Sequence, residues 1–249
     1  MIDTHTHVTS CADDPGDVLA RARAAGVRRL ITIGSSLPEM TAAAAVVESD
    51  ADVFTTAGLH PHSAAEWTDE VAAEIRRRAA HPRCVAIGET GLDWFRNRAP
   101  RDAQVAAFRG QLALARELEL PVVIHCRDAV EDCFELLAAE GPATVVLHCF
   151  AATERLDEAM TRGWYCSFAG NVTYPKATDL QDAARAVPSE LLLLETDAPY
   201  LAPVPHRGRP NEPAYVMDTL AFVADLRGTP SDVLERQVEE NAARAFRLP

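Results

Sequence analysis

Two histidines stand two residues apart near the start of the chain, at the end of an apolar run. His5 and His7 flank Thr6 in a segment that has the composition of a β-strand. Because successive side chains on a strand point to opposite faces, residues two apart point the same way. The pair therefore directs two imidazoles at one point, as binding of a divalent metal ion requires. Two solvated strand histidines would show the same spacing, so the rest of the chain must decide between the two interpretations.

Four further metal-binding side chains close other apolar runs in the same way: Glu89, His125, His148 and Asp197. With the first pair they supply four imidazoles and two carboxylates, which is enough for two adjacent divalent ions. One division gives the first ion His5, His7, Glu89 and Asp197. The second ion then takes Glu89, His125 and His148. Any one of the six could be a satisfied core residue, but six at matching positions favour a metal centre.

Two ions that share a carboxylate and a water suit displacement at phosphorus, because they activate the water and neutralise developing charge. We expect Glu89 to be the shared carboxylate. The single lysine, Lys176, follows the seventh apolar run and cannot supply a carboxylated-lysine bridge on the fourth. Asp197 is the candidate acceptor of the water's proton. The expected cofactors are two divalent ions, Mg²⁺, Mn²⁺ or Zn²⁺, although imidazole-rich sites suit Zn²⁺, Mn²⁺ or Fe²⁺ better than Mg²⁺.

Eight apolar runs carry these residues, and amphipathic segments separate them. The predicted strands are 1–7, 28–34, 53–59, 84–89, 122–126, 144–148, 165–169 and 191–197. Helices are predicted near 15–25, 37–49, 66–79, 102–118, 129–140, 153–162, 176–186, 213–226 and 231–246. Near-continuous Val, Ile and Leu runs alternating with helices indicate a parallel sheet buried on both faces. Eight such units predict an α/β fold, a closed (β/α)₈ TIM-type barrel with residues 1–249 as a single domain. The alternative, an open doubly wound sheet, would carry a Gly-rich turn after the first strand, and none is present.

In a barrel of this type the active site forms at the carboxy-terminal mouth, where the strand ends converge. Glu195, two residues before Asp197, should also point inward, and we expect it to orient a ligand rather than to bind the metal. The same alternation predicts that Cys126 and Cys149 face the helices as inert packing residues.

Composition narrows the possible partners. The formal net charge of −13 argues against coating nucleic acid non-specifically or binding an anionic membrane surface. Six cysteines occur without a Cys-x-x-Cys pair, and no secretory or membrane-spanning segment is evident. A cytoplasmic protein with no membrane association and no obligate protein partner is the expectation.

Distinctive short motifs occur along the whole chain: IDTHTH (2–7), GLHPH (58–62), IGETGLD (87–93), HCR (125–127), LHCF (147–150), ETDAPYLAP (195–203), PHRG (205–208) and NEP (211–213). Together they resemble the motifs of the TatD family of metal-dependent deoxyribonucleases. The resemblance implies divalent-metal-dependent hydrolysis of DNA phosphodiesters, typically from the 3′ end, with the six metal ligands named above.

Loops after the strands offer candidate phosphate contacts. These are His62, preferred to His60 because of the family resemblance, and His206 and Arg207 in the Pro-rich loop after the eighth strand. A second cluster of arginines, Arg96, Arg98 and Arg101, follows the fourth strand. Trp94 and Phe95 could stack on a base or seal the barrel rim. Asp93 and Arg127 could equally be structural, closing loops through a salt bridge.

The leading functional hypothesis is a 3′–5′ exodeoxyribonuclease that acts on single-stranded DNA ends. The preference for a strand end follows from the net negative charge of the chain, because an acidic protein with one lysine cannot bind duplex DNA through contacts with many phosphates. The alternative is a hydrolase of a small phosphoester or cyclic amide, which would need a closed, ligand-sized pocket. A catalytically silent scaffold would be expected only if ligands were missing, and none is.

Overall fold

Eight parallel strands pair in chain order in the computed structural model, which describes residues 1–249. The strands are β1 Ile2–Thr6, β2 Arg29–Thr32, β3 Val53–Ala57, β4 Cys84–Asp93, β5 Val122–Arg127, β6 Val145–Leu147, β7 Tyr165–Phe168 and β8 Leu192–Leu194. Every neighbouring pair from β1–β2 to β7–β8 is parallel. Almost every strand residue is buried, as expected when helices cover one face and the barrel interior fills the other. The predicted fold class is confirmed.

Side chains and loop backbone close the barrel between β8 and β1, where no regular ladder forms. The Asp3 carboxylate accepts hydrogen bonds from the backbone N–H of Thr196, at 3.0 Å, and from its hydroxyl, at 2.6 Å. Backbone bonds then run from Asp197 N to His5 O, at 2.9 Å, and from His7 N to the carbonyl oxygen of Ala198, at 2.8 Å. This seam holds the His5–His7 segment against Asp197.

Nine helices surround the sheet close to their predicted positions. They are α1 Pro15–Ala24, α2 Leu37–Ser49, α3 Asp69–Ala79, α4 Arg101–Glu117, α5 Val130–Glu140, α6 Leu156–Thr161, α7 Thr178–Ala186, α8 Val216–Leu226 and α9 Ser231–Phe246. α3 begins three residues later than predicted because the Thr68 side chain caps it by accepting the N–H of Val71. α6 and α8 begin later because short 3₁₀ turns, Thr153–Arg155 and Pro213–Tyr215, precede them. None of the helices is both long enough and apolar enough to cross a membrane.

Strand β4 runs four residues past its predicted end. It continues to Asp93, pairing Gly91 with His125 and Asp93 with Arg127. The register shifts between Ile87 and Thr90, an irregularity of the kind that re-aims side chains next to active sites. Glycine is required at 91, because φ is +139° and an added Cβ would lie 2.0 Å from the His125 carbonyl oxygen. The prediction that Glu89 ends its strand was therefore wrong, and the extra residues carry Asp93 to the mouth.

Candidate metal centre

The Glu89 carboxylate lies at the middle of a cluster formed by the predicted ligands. Its Oε2 lies 3.6 Å from His5 Nε2 and 3.7 Å from His7 Nε2. Asp197 Oδ1 completes this side, 3.8 Å from His5 Nε2 and 3.5 Å from His7 Nε2. Asp197 has a positive φ of +55°, a conformation that Asp tolerates better than most residues. The four residues assigned to the first ion therefore surround one point.

The other oxygen of Glu89 faces the remaining two predicted ligands. Oε1 lies 2.9 Å from His125 Nδ1 and 3.1 Å from His148 Nε2. Each imidazole places its other nitrogen against a buried carboxylate: His148 Nδ1 lies 3.0 Å from Glu195, and His125 Nε2 lies 3.3 Å from Asp93. Such partners fix the tautomer and orientation of a metal-binding histidine, leaving the nearer nitrogen available. Glu195 has the position expected of an orienting residue, and Asp93 occupies the equivalent position for His125.

Residues of the cluster fit bound divalent ions in two respects. Both ring nitrogens of His5 and Oε2 of Glu195 are buried without a hydrogen-bond partner, an arrangement that is costly unless something else binds them. The 3.5–3.8 Å separations around Glu89 Oε2 are too long for good hydrogen bonds. Tetrahedral ligands about 2.1 Å from an ion lie about 3.4 Å apart, close to those separations.

Opposing charges shift the ionisation of these groups. Burial alone raises the pKa of Glu89, but the neighbouring imidazoles His148, His60 and His125 outweigh it and hold that pKa well below the ordinary value. Burial lowers the pKa of His125, but its hydrogen bonds to Asp93 and Glu89 raise it to about 9. Glu89 and Glu195 likewise overcome burial and raise the pKa of His148. Protons therefore compete for the nitrogens that would bind metal.

His60 joins the cluster although sequence reasoning favoured its neighbour His62. Its Nε2 lies 3.5 Å from Glu89 Oε1, and its Nδ1 accepts the backbone N–H of His62 at 3.0 Å. A neutral imidazole that accepts at Nδ1 carries its proton at Nε2, the nitrogen that faces Glu89. His60 also forms a candidate metal-binding group with Glu89 and His125. The signals available in the sequence were the GLHPH motif (58–62) and the spacing of its two histidines in the loop after β3.

The three predicted phosphate contacts lie in different places. His62 lines the cavity above the cluster, with Nε2 2.8 Å from Asp93 Oδ2. His206 lies outside the cavity lining, pairs with Asp218 at 3.1 Å and stacks on Tyr215. Arg207 also lies outside it, with its guanidinium 4.3 Å from the centre of the Tyr174 ring. The structure therefore brings His62 to the mouth but not the other two, whose role in binding phosphate stays a prediction.

The mouth of the barrel is a cavity of about 800 Å³ above the cluster. Arg96, Arg98 and Arg127 line it, as do Glu39 and Tyr200. Cys126 and Cys149 line it too. Cys126 nevertheless packs beside Cys133 of α5 and against the core, as predicted for a residue that faces the helices. The prediction was wrong for Cys149, whose Sγ lies 4.0 Å from Asn171 Nδ2 at the mouth. Cys149 follows the end of β6 with a φ of +42°, and strand alternation therefore does not apply to it. Burial raises the pKa of the Cys149 thiol, which makes it a poor nucleophile.

Comparison with known proteins gives consistent matches over the full length. A model of the family described as TatD related DNase matches residues 2–247. An "uncharacterized metal-dependent hydrolase YabD" from Bacillus subtilis is 38% identical, covering 100% of this chain and 99% of its own. A "3'-5' ssDNA/RNA exonuclease TatD" from Klebsiella pneumoniae is 41% identical, covering 99% and 97%. The crystal structure of YJJV, a TatD homologue from Escherichia coli K12, superposes with a TM-score of 0.93 at 28% identity, covering 100% and 98%.

Proposed function

This chain belongs to the TatD-related DNase family of metal-dependent hydrolases, and from that premise we propose that it removes nucleotides from the 3′ ends of single-stranded DNA. The observation that carries the proposal is the position of Glu89, whose two oxygens each face a separate pair of imidazoles. That arrangement suits two adjacent divalent ions, which are the expected apparatus for phosphodiester hydrolysis. Relatives from Klebsiella pneumoniae and Erwinia billingiae carry the name 3'-5' ssDNA/RNA exonuclease.

Ligand roles follow from the two sides of the cluster. His5, His7 and Asp197 would hold one ion with Oε2 of Glu89. His125 and His148 would hold the other with Oε1, while Asp93 and Glu195 fix the orientation of those two rings. Ions bound there would lower the pKa of an attacking water and stabilise charge on the phosphate.

Asp197 is the proposed acceptor of the proton released by the attacking water. Burial raises its pKa, but the nearby imidazoles of His7 and His148 outweigh this and keep the carboxylate ionised at neutral pH. Its side chain is 13% exposed, against 3% for Glu89, so it retains access to the cavity. A general base needs this combination of ionised state and contact with the reacting group.

A strand end suits this site better than a length of duplex. The cavity of about 800 Å³ lies within the 300–1,000 Å³ typical of sites for single small ligands. The net charge of −13 opposes an extended phosphate contact. The same volume would suit a small phosphoester, which is the second candidate substrate.

An end-labelled ladder tests the proposal. A 20-nucleotide single strand labelled at its 5′ end should shorten stepwise from the 3′ end in the presence of a divalent ion, and blocking the 3′ end should stop it. An RNA strand of the same sequence tests the wider substrate range of the named relatives. Internal cleavage of closed circular duplex at a comparable rate would contradict the end preference. Hydrolysis of a small phosphoester without cleavage of any oligonucleotide would favour the second candidate.

A further inference from the structure

Three arginines on one side of the mouth have no carboxylate partner. Arg96 and Arg98 follow β4, Arg127 ends β5, and all three line the cavity with exposed side chains. No Asp or Glu oxygen lies within the 4.0 Å limit of an ion pair from any of them. Elsewhere on this acidic surface arginines commonly pair with acids, as Arg76 does with Glu117 and Arg28 with Glu239. The unpaired charge at the mouth is therefore available to an anionic ligand.

An exposed aromatic ring lies among these arginines. Phe95 is 55% exposed, and the guanidinium carbon of Arg127 lies 4.0 Å from the centre of its ring. The Arg96 guanidinium lies 5.7 Å from the same centre. Guanidinium groups that use their flat faces on a ring keep their N–H edges free for phosphate oxygens. Phe95 is still more than half exposed, so it remains accessible to a base.

Trp94, next to Phe95, forms a similar arginine–aromatic pair with Arg101, and this pair faces away from the mouth. Trp94 donates a hydrogen bond from Nε1 to Asp132 at 2.8 Å, and Arg101 lies 4.6 Å from its ring centre. Both residues line a separate groove between α4 and α5. The chain thus supplies an arginine–aromatic pair outside the site that serves as a matched control.

The opposite side of the cavity carries an acidic side chain instead of arginines. Glu39 lies there and accepts hydrogen bonds from the backbone N–H and the hydroxyl of Ser35, so its charge stays close to the first-ion side of the cluster. A polyanion that enters the cavity is repelled on this side and attracted on the β4–β5 side. The asymmetry gives the bound strand a direction.

We propose that Phe95, Arg96, Arg98 and Arg127 form a nucleotide subsite that holds the strand next to the bond being cleaved. The arginines bind its phosphates and Phe95 stacks on a base, so the uncleaved strand leaves the metal centre over the ends of β4 and β5. This inference rests on the proposed nuclease function. It adds to that function a binding surface that accepts nucleotides of any sequence, because every base presents a stacking face.

Binding at varied salt concentration tests the arginines. The probe is a fluorescent single-stranded oligonucleotide whose 3′ end carries phosphorothioate linkages, and its dissociation constant is measured by anisotropy on the metal-loaded protein. For single strands log K falls with log salt by about 0.7 per neutralised phosphate, so three arginines predict a slope of about −2. Arg127→Gln should reduce that slope by about 0.7 and weaken binding roughly tenfold at low salt. Arg101→Gln should change neither.

Substrates without bases test the ring. Phe95→Ala should lower kcat/KM on the ordinary oligonucleotide roughly tenfold, the scale of one lost base stack. On a strand with abasic residues at its last four positions, Phe95→Ala and the unchanged protein should cleave at equal rates, while Arg127→Gln stays impaired. Trp94→Ala, with the thermal midpoint checked for each variant, controls for loss of an aromatic residue from this loop.

Two outcomes separate the inference from the function on which it rests. If the unchanged protein shortens the strand but Arg127→Gln and Phe95→Ala behave like their controls, the subsite is refuted and the nuclease function stands. If the unchanged protein cleaves no oligonucleotide, the function fails and the subsite with it.

Discussion

Glu89→Gln tests the arrangement on which the whole site depends. The substitution keeps the size and the burial of the side chain, which is 3% exposed, but removes the negative charge and one acceptor oxygen. Whichever way the amide turns, its NH₂ group faces either His125 and His148 or His5 and His7. One pair of imidazoles then loses the carboxylate oxygen with which it would share an ion.

The expected loss is at least about 10²-fold in turnover. Removing one preorganised electrostatic group from an active site costs about 10²–10³-fold, or about 2.7–4 kcal/mol. A unit charge within 4 Å of another is worth about 4 kcal/mol at an effective dielectric constant of 20, which leads to the same scale. We therefore expect Glu89→Gln to fold, to bind fewer than two ions per chain, and to lose at least two orders of magnitude in kcat.

The assay joins metal analysis to kinetics. Each protein is dialysed against a fixed concentration of metal, its metal content is measured by elemental analysis, and its turnover is measured on the end-labelled strand. Glu117→Gln, the same change on the exposed face of α4 where the carboxylate pairs with Arg76, is the control and should match the unchanged protein. Unchanged turnover with unchanged metal content in Glu89→Gln would show that this carboxylate does not bridge two ions.

Three further predictions concern the metal and its neighbours. Chelation should abolish activity and lower the thermal midpoint, because an ion present at 100 times its dissociation constant adds about 2.7 kcal/mol to the free energy of unfolding. Full activity in protein that elemental analysis shows to be metal-free would rule out the mechanism. His60→Gln should keep the metal content and lose about tenfold or more in turnover, because His60 Nε2 faces Glu89 at 3.5 Å and helps to hold the pKa of that carboxylate low. Loss of an ion would instead identify His60 as a ligand. Metal affinity should fall as pH falls below about 9, because an ion must displace the proton that Asp93 and Glu89 stabilise on His125. A metal titration that gives the same affinity at pH 6 and at pH 8 would contradict this.

Residues at strand ends could be predicted because a simple rule governs them. Two-residue alternation sends His5 and His7 to one side, and parallel strands of a barrel bring their carboxyl ends to one mouth. Parallel strands that pair in chain order bring His125, His148 and Asp197 to that mouth as well. Glu89 lies four residues before the end of β4 and still reaches the same cluster. The same rule predicted that Glu195 points inward, and the structure places its carboxylate 3.0 Å from His148 Nδ1.

The positions of loop residues could not be predicted from alternation, because loops have no regular periodicity. The spacing of His60 and His62 is the same as that of His5 and His7, yet only His60 reaches Glu89, while His62 turns to Asp93. His206 and Arg207 were expected at the mouth, but local partners, Asp218 and Tyr174, hold them outside the cavity lining.

The sequence by itself determined the barrel, the order of its strands and the side chains that gather at its mouth, since these depend on hydrophobic pattern and alternation. Only the tertiary structure decided how far β4 extends, that its shifted register aims Glu89 between two pairs of imidazoles, and that Asp93 orients His125. The physical reason is that such details depend on contacts between residues distant along the chain, such as the close approach of Gly91 to His125, and these form only when the barrel closes.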